Sequence, residues 1–230
     1  MTLFYSNFNE MTDITVSPPV DLTPYEKPRG IYRRGFKRAF ETLLVLLALP
    51  IMVPVMFVMA LLVCSDGGKP FYTQIRIGRN GRQFRMWKLR TMVVDAEHRL
   101  SEYLAGDPVA RLEWNATQKL KRDPRITRVG RFLRKSSLDE LPQLWNVLNG
   151  SMSLVGPRPM MVEQEAFYHG FGYYNLRPGI TGFWQVSDRN ECDFRGRVKY
   201  DDAYDQQVSF VTDIRILKRT IGVVLRCTGY

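Results

Sequence analysis

The chain has 230 residues, with 33 lysines and arginines against 23 aspartates and glutamates, so its net charge is +10. This length fits one or at most two domains, and the charge predicts an anionic partner: nucleic acid, an acidic membrane surface or a phosphorylated substrate. Three cysteines without paired spacing and only two histidines argue against a disulfide framework, a zinc site and a histidine-based triad.

Residues 1–28 are polar and contain several prolines. They predict a flexible leader rather than a signal peptide, because no basic start is followed by an apolar core. A basic cluster then precedes residues 43–64, a run without any charge that is long enough to cross a bilayer. A membrane helix is the favoured interpretation, and a buried core helix of a soluble protein is the alternative.

Two prolines, Pro50 and Pro54, lie near the middle of this apolar run. Each removes a backbone donor and clashes with the preceding turn, which predicts a strong kink or a break. Both flanks are basic, and such flanks favour the cytoplasmic side. We therefore predict that residues 29–66 form a re-entrant hairpin rather than a straight span.

Residues 69–90 alternate between apolar and polar positions on both sides of Asn80-Gly81, which predicts a β-hairpin. Its polar members are either solvated edge charges or substrate-facing side chains: Gln74, Arg76, Lys88 and Arg90. Residues 92–105 then predict a helix ended by Gly106. Asp107-Pro108 predicts the start of another helix that runs to about Leu120.

A basic run at residues 119–135 contains eight lysines and arginines. Most of these residues are expected to form a surface that faces either water or lipid headgroups. Arg134 differs from the others, because it lies just before the acidic pair Asp139 and Glu140.

The acidic pair opens a segment, residues 136–150, that predicts an amphipathic helix with one buried face. Pro142 fits only the first turn of a helix, and Asn149-Gly150 predicts its end. Asp139 and Glu140 would then stand at a helix N-terminus behind many cations. This arrangement is typical of a site for phosphate chemistry.

In the loop at residues 156–159, two prolines enclose Arg158, which suits bidentate phosphate recognition; a rigid turn with an exposed arginine is the alternative. Residues 177–186 predict a turn followed by a short apolar strand. Asp201 and Asp202 are either surface charges or site carboxylates. An apolar stripe near the C-terminus predicts either a core helix or an interfacial helix: Phe210, Ile214, Leu217, Ile221 and Val224.

Five stretches, in this order, resemble the bacterial sugar transferases, the monotopic polyprenyl-phosphate phosphoglycosyl transferases. They are Lys37-Arg38, Lys88-Leu89-Arg90-Thr91-Met92, Ser137-Leu138-Asp139-Glu140-Leu141-Pro142-Gln143, Gly156-Pro157-Arg158-Pro159 and Arg177-Pro178-Gly179-Ile180-Thr181-Gly182. The likeness runs from about residue 33 to the C-terminus. Within the family the chain is most similar to the undecaprenyl-phosphate galactose phosphotransferase type of exopolysaccharide synthesis.

The resemblance implies an α+β protein in the bacterial inner membrane. A re-entrant helix-break-helix would precede a mostly helical, cytoplasm-facing catalytic domain at residues 67–230, with a small β-hairpin and interfacial amphipathic helices. Lys37 and Arg38 match a basic pair at the membrane boundary, and Pro54 matches the proline at the break. Val53 stands where a serine is frequent, and Glu41 stands where many members have aspartate.

The resemblance also implies a reaction, in which a hexose 1-phosphate, with galactose favoured, moves from a UDP-sugar to undecaprenyl phosphate and UMP is released. Asp139 matches the nucleophile, which forms a covalent phosphosugar intermediate, and Glu140 matches its supporting acid. Mg²⁺ is implied, with Asp139 as its protein ligand. Further residues are predicted to contact substrate or phosphate: Lys88, Arg90, Arg134, Arg158 and Asp201.

Several alternatives stay open at this point. The donor could carry glucose or an N-acetylhexosamine, and a phosphate hydrolase could use the same acidic pair with water as acceptor. A membrane-tethered module that binds anions without catalysis is a further alternative. Nucleic acid is not an expected partner, because the basic run offers only Phe132 for base stacking. A homo-oligomer is compatible with the sequence.

Overall fold

The computed structural model describes residues 30–117, 120–187, 194 and 196–225; the predicted leader at residues 1–28, Cys192 and Cys227 lie outside the described residues. The α-helices in chain order are α1 Lys37–Cys64, α2 Ala96–Gly106, α3 Pro108–Thr117, α4 Arg128–Ser136, α5 Gln143–Asn149, α6 Gly172–Asn175, α7 Phe183–Val186, α8 Arg197–Gln207 and α9 Phe210–Leu225. The strands are β1 Phe71–Ile77, β2 Gln83–Leu89, β3 Ser153–Val155 and β4 Gly179–Thr181. This mostly helical arrangement with small sheets confirms the predicted α+β class.

Helix α1 carries the apolar run, and much of its surface is not covered by the rest of the protein. Leu47, Ile51 and Phe57 are all exposed. Together with the π-helical turn before it, α1 is long and apolar enough to cross a membrane, yet only 11% of its most apolar segment is buried. A core helix of a soluble protein would be largely covered, so the low burial argues against that alternative.

Both prolines lie inside α1, which continues through them from Lys37 to Cys64. The structure therefore shows no break in α1, and a kink, the other predicted outcome, stays a prediction. Pro50 and Pro54 each remove only one donor from the helical ladder, and the bonds of the neighbouring turns still hold the helix in place. The re-entrant topology itself stays a prediction.

The two halves of α1 both pack on the part of the chain that follows this helix. Near its start, Val45 is buried against Met86 and Val147. Near its end, Val63 is buried against Leu89. Contacts at both ends of the helix with one domain agree with the expectation that both ends lie on one side of a membrane.

The predicted hairpin is confirmed. Strands β1 and β2 pair antiparallel, with Tyr72 opposite Lys88 and Arg76 opposite Phe84. The turn residue Asn80 has a φ of 57°, a left-handed conformation that asparagine tolerates better than most residues. One face of β1 is more covered than the other, and it carries the alternate residues Tyr72, Gln74 and Arg76.

Helix α2 begins at Ala96, later than the predicted start at residue 92. The reason is a tertiary contact: Met92 forms a bridge with Ile126, and the Val93 amide donates to the carbonyl of Arg125. The extended backbone at residues 92–93 thus belongs to a long-range pairing. The predicted boundary at Asp107 is confirmed, because its carboxylate accepts from the amides of Val109 and Ala110.

Strands β3 and β4 pair in parallel, with Ser153 opposite Gly179. The predicted strand after Arg177 is shorter than expected, because residues 183–186 form helix α7. Beside these strands lies a buried cluster that contains Val155, Tyr204 and Ile216. Helices α8 and α9 are thereby attached to the loop that carries Arg158.

Helix α9 does not bury the predicted apolar stripe as one face. Phe210 and Ile221 are exposed, whereas Thr212, Asp213 and Ile216 are buried. The physical reason is a polar contact, because the Asp213 carboxylate faces inward to bonds described below. The predicted interfacial position of the helix stays a prediction.

Candidate active site

The acidic dyad, Asp139 and Glu140, lies in a 3₁₀ turn, Leu138–Glu140, that connects α4 to α5. The prediction of a helix start at the dyad is wrong in detail, because α5 begins only at Gln143. Helix α4 ends at Ser136, and the next residue, Ser137, has a φ of 58°, which reverses the chain so that the turn can follow. The predicted stop is confirmed by Gly150, whose φ is 85°.

Lys88 joins the dyad from strand β2. Its Nζ lies 3.0 Å from Oε1 of Glu140 and 3.4 Å from Oδ2 of Asp139. Burial lowers the pKa of Lys88, but the charges of Glu140 and Asp139 outweigh burial and raise this pKa above its ordinary value. Lys88 is therefore a permanent cation at neutral pH, and the predicted neighbourhood of Lys88, Asp139 and Glu140 is present.

Burial also governs Asp139, which is 9% exposed. Desolvation raises the pKa of its carboxyl group above the ordinary value, against the opposing charges of Lys88 and Arg134. A partly desolvated carboxylate is more basic and more nucleophilic than a solvated one. This environment is compatible with the predicted attacking role of Asp139, which stays a prediction.

Arg134 approaches the dyad from the last turn of α4. Its Nε donates to Oγ1 of Thr91 over 2.9 Å, which anchors the guanidinium next to the end of β2. This approach depends on Gly130, because a β-carbon at that position would overlap the carbonyl oxygen of Thr91. Arg134, which is predicted to contact phosphate, lies near enough to Asp139 for its charge to lower the pKa of Asp139.

Arg158 and Asp201 belong to a second polar group. The Arg158 guanidinium lies 5.9 Å from the Trp184 ring centre, and the Arg158 carbonyl accepts from Arg197. Asp201 is 3% exposed and accepts from the Tyr168 hydroxyl over 2.9 Å. Burial raises the pKa of Asp201 to about 7, although Arg197 and the Tyr168 bond oppose this.

Arg90 lies outside both groups. Its guanidinium binds the Asp66 carboxylate and the carbonyls of Lys69, Val63 and Met92, so it fastens the segment after α1 to the end of β2. In the described part of the chain it makes no bond to the dyad. Its predicted contact with substrate stays a prediction that this geometry does not support.

The predicted boundary residue Lys37 holds the start of α1 on the catalytic domain. Its Nζ lies 2.7 Å from Oε1 of Glu41 and 2.6 Å from Oδ2 of Asp213. Glu41 in turn accepts from the Ser153 hydroxyl and, over 3.1 Å, from the Val155 amide. Sequence reasoning missed this role of Glu41, which closes a buried polar network between α1, β3 and α9.

Arg38, the other boundary residue, donates to the carbonyls of Val147 and Leu148 in the last turn of α5. These carbonyls lie in the turn of α5 where carbonyl groups lack intrahelical partners. Arg38 therefore ties α1 to the helix that follows the dyad.

A groove of about 440 Å³, lined by apolar side chains, lies between α1 and the rest of the protein. We call it the apolar groove. Its domain side includes Trp87, which precedes Lys88, and Leu141 and Pro142, which follow Glu140. Its α1 side consists of Leu49, Met52, Val53 and Met56. Residues that line the groove thus adjoin Lys88 and the dyad along the chain, although the side chains of Trp87 and Lys88 lie on opposite faces of β2.

The dyad fits a divalent cation in one respect, because two carboxylates already share one positive charge, that of Lys88. Within the described residues no group of three or more candidate metal ligands occurs. Mg²⁺ commonly binds through one or two carboxylates together with phosphate oxygens and water. The residues therefore fit an ion that a phosphorylated substrate helps to hold.

A model of the family described as bacterial sugar transferase matches residues 32–227. A UDP-galactose-lipid carrier transferase of Erwinia amylovora and an undecaprenyl-phosphate galactose phosphotransferase of Salmonella typhimurium are each 48% identical over 85% of this chain and 42% of their own length. The exopolysaccharide production protein ExoY of Sinorhizobium fredii is 44% identical over 84% of this chain and 87% of its own length. The chain spans about two fifths of the length of the first two relatives.

Proposed function

The chain belongs to the bacterial sugar transferase family, and on that premise we propose that it transfers a sugar 1-phosphate from a UDP-sugar to undecaprenyl phosphate, with release of UMP. The observation that carries the proposal is the dyad Asp139–Glu140, held by Lys88 beside the apolar groove. Charge for a phosphate and apolar surface for a lipid thus meet at one place.

In the proposed first step, an Asp139 carboxylate oxygen attacks the phosphorus that bears the sugar. A new bond forms between this oxygen and phosphorus, while the bond from phosphorus to the UMP oxygen breaks and UMP leaves with the electron pair. Phosphoryl transfer depends mainly on in-line positioning and on neutralisation of spread negative charge. Lys88 and Arg134 supply positive charge within range of Asp139.

In the second step, a phosphate oxygen of the lipid attacks the same phosphorus, and the bond to Asp139 breaks. Two steps through a carboxylate suit a reaction with two substrates, because UMP can leave before the lipid binds. We propose that Mg²⁺ is held by Asp139 with Glu140 in support, and that when bound it neutralises charge on the transferred phosphate. The low exposure of Asp139 limits access of water to the intermediate.

We propose that α1 places this site at the cytoplasmic face of the inner membrane. Its exposed apolar surface suits insertion into lipid, and both of its ends pack on the catalytic domain. The acceptor would reach the dyad along the apolar groove. Galactose is the proposed sugar, because two relatives with 48% identity bear names that specify galactose.

The test incubates the full chain in detergent micelles with UDP-galactose, Mg²⁺ and undecaprenyl phosphate. Without lipid we expect at most one equivalent of UMP per enzyme, and we expect UMP beyond that equivalent only when the lipid is present. Asp139→Asn should abolish turnover and the phosphosugar adduct seen by mass spectrometry of the intact protein. Asp95→Asn is the matched control, because this carboxylate is exposed on the start of α2 and should leave both readouts unchanged.

Other products would contradict parts of the proposal. Release of UDP would exclude phosphosugar transfer, and lipid-independent release of galactose 1-phosphate would identify a hydrolase. Full activity of Asp139→Asn would exclude the covalent route. Faster turnover with UDP-glucose or a UDP-N-acetylhexosamine would show that this sugar, and not galactose, is the one transferred.

A further inference from the structure

Two arginines from distant parts of the chain, Arg158 and Arg197, lie beside Trp184, and a third, Arg76, lies within electrostatic range of Arg158; we call the three the arginine cluster. The guanidinium carbons of Arg158 and Arg197 lie 5.9 and 5.1 Å from the Trp184 ring centre. Arg197 Nη2 donates to the Arg158 carbonyl over 2.6 Å. Arg76 joins this pair electrostatically: burial lowers its pKa, and the charge of Arg158 lowers it further.

Several donors of this cluster are buried without a partner. Among the residues that the structure describes, Nε of Arg76, Nε of Arg197 and Nε1 of Trp184 are enclosed and donate to no hydrogen-bond acceptor. Arg197 is 5% exposed, so its charge is almost fully withdrawn from water. Unpaired buried donors on charged groups are costly, and a bound anion would satisfy them.

The acids near the cluster do not balance its charge. The charge of Asp201 raises the pKa of Arg197. Burial raises the pKa of Asp201 itself to about 7, so a substantial share of this carboxyl group is neutral near pH 7. The charge of Glu163 raises the pKa of Arg76, but the Glu163 side chain is exposed to solvent. Three guanidinium groups thus face one partly protonated carboxyl group and one solvated carboxylate, which leaves a net positive charge.

The cluster is linked to the dyad by one face of β1. Tyr72, Gln74 and Arg76 alternate along this face, and Tyr72 lies opposite Lys88. Arg76 follows Tyr72 by four residues, about 13 Å along the strand. Burial raises the pKa of Tyr72, and the charges of Lys88, Arg134 and Arg76 all lower it, so this side chain lies within range of both cationic groups.

The two sides of the dyad differ in chemistry. The apolar groove, whose lining includes the residues that follow Glu140, also contains four residues of α1, which suits a lipid chain. None of the described contacts of the arginine cluster involves α1. A polar, multiply charged ligand suits the cluster, and the other substrate of the proposed reaction is a nucleotide.

We propose that Arg76, Arg158 and Arg197, with the Trp184 indole N–H, form a second phosphate-binding site that holds the phosphate of the departing nucleotide. Gln74, which accepts from Arg76 Nη2 over 2.9 Å, orients that guanidinium from the same face of β1. Planar guanidinium groups bind phosphate oxygens in pairs, which Lys88 cannot do. This assignment rests on the proposed function and divides the phosphates between two sites: Lys88 and Arg134 for the transferred group, and the cluster for UMP.

The test measures binding apart from turnover, by calorimetric titration of UMP into the full chain in detergent micelles without lipid. Uridine, which lacks the phosphate, is the reference ligand. Arg76→Gln should raise the Kd of UMP on the order of tenfold to a hundredfold and leave uridine binding unchanged. Arg197→Lys, which keeps the charge but loses the planar fork, should give a smaller rise. In turnover assays the KM for the UDP-sugar should rise while the KM for undecaprenyl phosphate stays constant.

The matched control is Arg85→Gln, on the exposed face of the same hairpin, which should change neither constant. Thermal unfolding in the same micelles reports whether each variant folds. If Arg197→Lys does not fold, Arg76→Gln alone decides the test. Unchanged UMP affinity in Arg76→Gln would overturn the site. A raised lipid KM with unchanged UMP affinity would assign the cluster to the lipid phosphate and overturn the nucleotide assignment. Weaker UMP binding in a protein without transferase activity would support the site while refuting the proposed function.

Discussion

The buried carboxyl group of Asp201 should make this protein less stable as the pH rises from acid to neutral. Asp201 is 3% exposed, and burial raises its pKa from 3.8 to about 7. The folded state therefore binds a proton between these two values, whereas the unfolded state does not. The stabilisation that this carboxyl group contributes is fully present below pH 3.8 and is lost as the pH rises through about 7.

The magnitude follows from the distance between the two values, about 3 pH units. Each unit corresponds to 1.36 kcal/mol, so the free energy of unfolding should fall by about 4 kcal/mol across this window. Asp201→Asn removes the titration and keeps an oxygen that accepts from Tyr168. The variant should match the wild type near pH 4 and exceed its stability by as much as about 4 kcal/mol near pH 8.

The assay is unfolding of the full chain in detergent micelles at pH 4, 6 and 8, for the wild type and Asp201→Asn. For a chain of this size a gain of 1 kcal/mol raises Tm by about 2–4 °C, so the difference near pH 8 should be about 10 °C. Asp95→Asn is the control, because its exposed carboxylate should leave the pH slope of the wild type intact. If Asp201→Asn is less stable than the wild type at pH 8, Arg197 outweighs burial and the reasoning is refuted.

Two further predictions concern the anchor of α1 and the dyad. Glu41→Ala should destabilise the protein by about 3 kcal/mol in micelle unfolding, because the partly buried Lys37 loses one of its two carboxylate partners and the Ser153 hydroxyl and Val155 amide lose their buried acceptor. The exposed Glu102→Ala should have little effect, and an equal loss in both variants would contradict a special role for Glu41. The acid limb of the kcat/KM profile should lie above pH 3.8, because burial raises the pKa of Asp139 and only its carboxylate can attack. Lys88→Gln should move this limb to still higher pH, because the lysine charge lowers that pKa; an unmoved limb would show that another group titrates.

Local features of the chain were predictable from sequence because neighbouring residues determine them. The Asn80-Gly81 step specified the hairpin turn, and Gly150 specified the end of the helix behind the dyad. The motif around Asp139 and Glu140 pointed to phosphate chemistry without any knowledge of the fold. The alternation of β1 could also have placed Arg76 on the same face as the residue opposite Lys88.

The predictions that failed were those that a distant contact overrode. The start of α2 moved because residues 92–93 pair with residues 125–126. On α9 the core alternative failed for Phe210 and Ile221, which are exposed because Asp213 turns inward to Lys37, whereas the interfacial alternative stays a prediction. Arg90 is not one of these predictions: it binds Asp66, and its predicted contact with substrate stays a prediction.

By itself, the sequence determined the class of chemistry, the apolar helix and the acidic dyad, because composition, spacing and turn residues act over short range. Only the tertiary structure decided which charges meet. Lys88 reaches the dyad across 51 residues, Ser153 reaches Glu41 across 112, and three separate segments supply the arginine cluster. Such contacts depend on which faces become buried together, and burial is also what sets the ionisation of Asp139 and Asp201.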